Sequence, residues 1–191
     1  MPRADTPVRA ARKSRELTQH ELAQRAGLDQ GSVSRTERGR DAAFTTVDRL
    51  LAAAGHRLYA APTRRDDAAA AASAIRAHLR AGDRDRAIRV LLQLSDDLVA
   101  EQGIVRGVLG LAEPEPTGEI AWDAALAALV AWRLREENLP LPAWTTAEGR
   151  RLARPGTLEI DPADPLPGPA DVPREFLDRG VLVWRDTFAS V

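Results

Sequence analysis

Hydrophobic residues recur along this chain in three rhythms. From residue 8 to 55 they form short groups at three- and four-residue spacing, separated by Gly27, Gly39 and Gly55. That spacing puts apolar side chains on one helix face, and a glycine readily takes the left-handed turn that ends a helix. From 66 to 138 the chain is rich in Ala and Leu and, apart from Pro114 and Pro116, free of proline, which predicts longer helices. Asp66 is placed to cap a helix running to about Ala81, Gly82 to end it and Asp83 to cap the next, so the two form a hairpin. In the second helix Ile88, Leu91, Leu92, Leu98 and Val99 fall on one stripe. The stretch 119–138 is apolar on almost every side (Ile120, Trp122, Leu126, Leu129, Val130, Trp132, Leu134), the signature of a central helix covered by its neighbours.

The third rhythm is set by proline. Eight of the 13 prolines lie between residues 139 and 173, and each removes an amide donor and disfavours helix just before it. That segment is expected to be mainly extended or looped, and to cover part of the central helix. Residues 174–180 fit a short helix and 181–184 a short strand. The predicted architecture is all-α: a small head over residues 1–62, a helical body over 66–138 for dimerisation or partner binding, and a Pro-rich segment over 139–191.

Composition narrows the function. The 191 residues suit one medium or two small domains, and 44% apolar content is enough for a core. With no cysteine there is no disulfide, thiolate metal site or cysteine nucleophile. The N-terminus has no apolar signal region, and the longest apolar stretch, 124–132, is far short of the roughly 20 residues that span a membrane. The expected location is the cytoplasm. The net charge of −1 conceals a division: residues 1–65 hold 13 Lys/Arg against 7 Asp/Glu, and residues 66–191 hold 14 against 21. A basic head on an acidic body points to a polyanion partner for the head.

The motif in the head is the stretch 18–40, TQHELAQRAGLDQGSVSRTERGR. Thr18 and Glu21 form a capping box, with Leu22, Ala23 and Ala26 inward. Gly27 turns the chain, Leu28 plugs the corner, Asp29 caps a second helix, and Val33 faces back. Two short helices joined by a tight glycine turn are a helix-turn-helix. The residues Thr18-Gln19-x-Glu21-Leu22-Ala23, Ala26-Gly27 and Val33-Ser34-Arg35-x-Glu37-x-Gly39 resemble the phage repressor/Cro-like (Xre-type) DNA-binding family, over roughly residues 8–58. The resemblance implies a bundle of four or five helices, the others at 8–16, 45–54 and a short element at 57–61. Thr36 departs from it, standing where the family usually has a larger aliphatic.

The resemblance also implies roles. The second helix lies in the major groove of double-stranded DNA. Gln30, Ser34 and Arg35 read base edges, Arg35 by a bidentate contact to guanine. Gly31 permits close approach. Gln19, Ser32, Arg40 and Thr45 stand at phosphate-contacting positions, and Arg12 pairs with Glu37 as a structural ion pair. A homodimer is expected, since two copies one helical turn apart reach two half-sites.

The body shows no catalytic pattern. His20, His56 and His78 are scattered, and no zinc-protease, serine-elbow, dinucleotide or phosphate-loop motif is present. Asp96-Asp97 and Glu136-Glu137 point about 100° apart and read as solvated helix faces. No catalytic residue, metal or cofactor is expected. Trp122, Trp132, Trp144 and Trp184 all lie outside the head and fit a core, an interface or a ligand pocket. The acidic, Pro-rich stretch after Asn138 suits wrapping another protein. The segments LPLPAW and PREFLDRGVLVWRDTFASV are similar to C-termini of helix-turn-helix proteins from bacterial toxin–antitoxin operons, especially those paired with nucleotidyltransferase-like toxins. That similarity implies an antitoxin that binds its toxin through the body and represses its operon through the head. The alternative is a stand-alone regulator whose body senses a small molecule or only dimerises.

Overall fold

The regular structure is helical throughout the described residues, 5–58, 60–158 and 165–189 of the computed structural model. The chain divides into two units, Met1–Pro62 and Thr63–Val191, each with its own apolar core.

The first unit contains α1 (Asp5–Lys13), α2 (Gln19–Ala26), α3 (Gln30–Glu37) and α4 (Phe44–Ala53). Val8 and Ala11 of α1, Leu22, Ala23 and Ala26 of α2, Val33 of α3, and Val47, Leu50 and Leu51 of α4 fill its core. α1 starts and ends three residues earlier than the expected 8–16. Glu16 takes a left-handed conformation (φ 55°) and the Leu17 amide bonds back to Arg12 O, so the helix closes there and Leu17 turns into the core. Of the short element expected at 57–61, residue 59 lies outside the described residues, and the described residues beside it are not helical.

The second unit is built on α8 (Ile120–Arg135), in which every side chain from Ala124 to Ala131 is fully buried. Large residues (Trp122, Leu126, Leu129, Leu134) alternate with alanines, so neighbours approach from all sides. Covering it are the hairpin of α5 (Ala68–Arg80) and α6 (Arg84–Ala100), and the short α7 (Gly103–Leu111). Asp67, not Asp66, caps α5 (Ala70 N to Oδ1, 2.8 Å), because that start sets Ala68, Ala71, Ala72 and Ile75 toward the core. Gly82 (φ 72°) and the Asp83 cap complete the hairpin. The buried stripe of α6 runs Ile88, Leu91, Leu94, Ser95, Leu98; Val99, expected on it, is 38% exposed. Ser95 holds a core position because its hydroxyl accepts from the buried Arg133 (Nη2, 2.8 Å). α7 crosses α8 at Gly110, where an added Cβ would stand 2.7 Å from Val130 Cγ1.

Residues after 138 belong to this same unit rather than to a separate segment. Trp144, Leu158, Val172, Phe176, Val181, Val183 and Phe188 are buried in its core, and Trp132 meets Phe176 and Phe188 edge-on at 6.3 and 5.9 Å. The stretch forms 3-10 turns at Ala143–Thr146, Glu148–Arg150 and Arg185–Phe188 and one short helix, α9 (Arg174–Leu177). In place of a strand at 181–184 there is a single parallel bridge, Gly156 to Val181. The facing segment contains Pro155, which has no amide to extend a ladder. Asp97, expected on a solvated face, is buried and paired with Arg65 at 2.8 Å. Glu136 and Glu137 both approach Arg106, at 3.8 and 3.1 Å. No described helix is long and apolar enough to cross a membrane.

Candidate nucleic-acid interface

α2 is tied down at both ends. Glu21 N donates to Thr18 Oγ1 (3.1 Å) and Thr18 N to Glu21 Oε2 (2.7 Å), closing the capping box; the bonds from the Thr18 amide and then the Thr18 hydroxyl (2.7 Å) hold the Glu21 carboxyl below its ordinary range. At the other end Gly27 (φ 62°) lets the Leu28 amide reach Ala23 O at 2.9 Å. A left-handed residue there is strained for anything but glycine. Arg49, from α4, adds a third clasp by donating to Ala26 O at 2.7 Å. The sequence reading missed Arg49. A cation near the last carbonyls of a helix is a familiar stabiliser, but one arriving from another helix leaves no spacing signal.

Asp29 caps α3, accepting from the Ser32 amide at 2.8 Å and from the Ser32 hydroxyl; these bonds, hydroxyl first, keep its carboxyl below the usual range. Val33 is fully buried against α2. Thr36, also buried, satisfies its hydroxyl on Ser32 O at 3.0 Å, which explains how a polar side chain stands at an aliphatic position. With those two inward, the opposite face of α3 is polar and open. Gln30 and Arg35 are exposed and Ser34 is half-buried. Gln30 and Ser34 stack at i, i+4, and Gly31 and Arg35 form the adjacent row.

Arg35 is already engaged. Its Nη2 donates to Ser32 Oγ at 2.9 Å and lies 3.6 Å from Asp29 Oδ1. The guanidinium occupies the space left by Gly31, where a Cβ would come within 2.9 Å of Arg35 Nη1. Arg35 and Ser32 thus share one hydrogen-bonded group with the cap of the helix.

Glu37 is 6% exposed and takes three charge-assisted hydrogen bonds: Arg12 Nε to Oε1 (2.7 Å), Arg12 Nη2 to Oε2 (3.0 Å) and Gln19 Nε2 to Oε2 (2.8 Å). Burial alone would raise its carboxyl. The hydrogen bonds from Arg12 and Gln19, with the charges of Arg12 and Arg9, outweigh that and hold it below the ordinary range. Arg12 also donates to Leu17 O at 2.7 Å, so this cluster joins α1, the turn after it, α2 and α3. The Gln19 side chain is therefore committed inside the protein, whereas Arg40 and Thr45 are exposed, beyond α3 and in the first turn of α4.

A helical bundle with a glycine turn between two crossing helices, the second presenting a polar face, defines a helix-turn-helix domain. Residues 8–55 match the family model described as Helix-turn-helix, and this unit is a DNA-binding domain of the Xre type, a family of transcription regulators rather than enzymes. The match lies wholly within the first unit. No curated protein and no solved structure matches the chain.

Proposed function

We propose that this protein is a sequence-specific repressor that reads an operator through α3, with Gln30, Ser34 and Arg35 on base edges and Ser32, Arg40 and Thr45 on phosphates. The observation that carries this reading is the polar outer face of α3, set on a helix held rigid by the Glu37 cluster. Gln19 contributes through its place at the start of α2, where helix amides favour a phosphate, while its side chain orients Glu37. Arg35 leaves Ser32 and Asp29 to reach a base. A homodimer supplies the second recognition helix, because one copy covers only a few base pairs.

The test is to select duplexes from a random pool with the full chain and compare variants on the selected sequence. Arg35→Ala loses about 1–3 kcal/mol of discrimination at one base pair. Arg40→Ala weakens all duplexes alike and reduces the salt slope by about one. Unchanged selectivity in Arg35→Ala overturns the base-reading role.

We further propose that the second unit binds a cognate toxin, making the protein an antitoxin that represses its own operon. Supporting this are the tail's similarity to antitoxin C-termini and an exposed apolar row on α7, Ile104, Val108 and Leu111. Deleting residues 139–191 does not test this, since it removes core side chains. The informative comparison is co-expression with the neighbouring gene product: growth rescue persists in Arg35→Ala and is lost in Ile104→Asp. Absence of both rescue and complex formation rejects the antitoxin reading. A second reading, a regulator whose body senses a small molecule, is favoured by the arginine-lined cleft described next.

A further inference from the structure

The second unit carries 21 carboxylate side chains against 16 arginines, yet four of those arginines converge on one cleft. Arg135 at the end of α8, Arg150 and Arg151 from the turn after Trp144, and Arg179 just after α9 line it, facing two acidic residues among those described, Glu148 and Asp178. None of the four tryptophans lines it.

The charges in the wall are compensated in part only. Arg179 is 9% exposed, and both of its terminal nitrogens donate to neutral carbonyls, Nη1 to Glu175 O at 3.0 Å and Nη2 to Thr145 O. Its pKa is pushed down, first by burial and then by the charge of Arg135. Arg150 is 6% exposed, gives Nη2 to Pro114 O and pairs with the Glu113 carboxylate at 3.7 Å. Its Nη1 is buried with no acceptor. Arg151 is exposed and makes no ion pair among the described residues, and Arg135 shares its charge with Glu175 at 3.0 Å. Burying Arg179 beside Arg135 with no carboxylate paired to it among the described residues is unfavourable, and the unmet Arg150 donor adds to the cost. An anion bound among these guanidinium groups would offset the charge penalty.

We infer that this cleft is a binding site for a small tetrahedral oxyanion, inorganic phosphate or the phosphoryl group of a small metabolite. Its volume, about 190 Å³, takes a phosphate with a short substituent and falls below the roughly 300 Å³ at which drug-sized pockets begin. Guanidinium groups match such an anion by paired N–H donation. Because the wall is drawn from α8, the 3-10 turns and the end of α9, the ligand would fasten the Pro-rich stretch to the central helix. The inference concerns the second unit alone and does not depend on DNA reading by the first.

The test is unfolding of the full chain followed by tryptophan fluorescence, which reports only the second unit because all four tryptophans lie there. Inorganic phosphate and a three-carbon phosphomonoester are titrated against sodium chloride at matched ionic strength. The expected result is a saturable rise in midpoint with one or both phosphates and none with chloride. A stronger effect of the phosphomonoester identifies a metabolite as ligand, and an equal or stronger effect of inorganic phosphate identifies the free anion. Arg151→Met, at an exposed position with no ion pair among the described residues, weakens the response about tenfold. Arg179→Met removes it, with Arg179→Lys as the companion should the first fail to fold. No saturable shift beyond that of chloride, including the case where the cleft takes only an acidic side chain of a partner protein, overturns the inference. So does a phosphate response undiminished in Arg151→Met.

Discussion

Glu37, at the end of α3, ties that helix to α1 and α2 through Arg12 and Gln19. Its carboxylate is nearly sealed from solvent and joins Arg12 to Gln19, so removing it takes the Glu37 charge away from a mostly covered guanidinium. Glu37→Ala is expected to destabilise this unit by about 3 kcal/mol, read as faster amide exchange at Leu22 and Val33. The pH dependence follows from the direction of its shift. The folded carboxyl titrates below its unfolded value of 4.5, so the stabilisation is complete above that value and is lost as pH falls through the lower folded one. Exchange protection in α2 and α3 should therefore fall on acidification below 4.5, and Glu37→Gln should flatten that dependence. The pairing of Arg12 with Glu37 could be named from the sequence only through family resemblance. The diversion of Gln19 into the same cluster could not, because nothing in the spacing of residues 19 and 37 says that their side chains meet.

At the scale of elements, the parts with local causes were legible and those set by tertiary packing were not. The capping box at Thr18, the turn at Gly27 and the cap at Asp29 act within a few residues, and α2 and α3 begin and end accordingly. The central place of α8 also showed, since only burial on all sides accommodates its run of apolar residues. Polarity alone puts Val99 on the stripe, yet α6 exposes it and buries Ser95, whose hydroxyl accepts from Arg133. α7 could not be separated from its surroundings by periodicity, and what fixes it is a close crossing. Gly110→Ala forces a methyl group to within 2.7 Å of Val130 Cγ1 and 3.3 Å of Leu134 Cδ1. It is expected to cost about 1–3 kcal/mol, visible as a lower midpoint in tryptophan-detected unfolding. Gly107→Ala, with open space around it, should instead leave the midpoint unchanged or raised.

For the whole molecule, the boundary between the two units falls after Pro62, three residues short of the end of the basic stretch 1–65, whose Arg64 and Arg65 belong to the second unit. The fate of the Pro-rich stretch was harder to read. Its prolines forbid regular structure, which looks the same in a sequence whether the segment wraps a partner or its own domain. Phe176, Val181 and Phe188 show that it wraps its own, with Arg133 donating to Phe188 O at 3.0 Å. Deletion of residues 139–191 should consequently abolish the cooperative tryptophan-detected transition while the exchange protection of α2 and α3 persists. A retained sharp transition would mean that the tail is dispensable for the core.

The most direct check on DNA reading by the first unit is the association of the full chain with duplex DNA as ionic strength is raised, followed by fluorescence anisotropy of a labelled duplex. Tight association is expected at low salt, with a linear fall of log K against log salt of slope about 0.9 per phosphate contacted. Arg35→Ala should keep that slope while losing preference for the selected sequence. Failure of any duplex to associate at low salt would contradict the account.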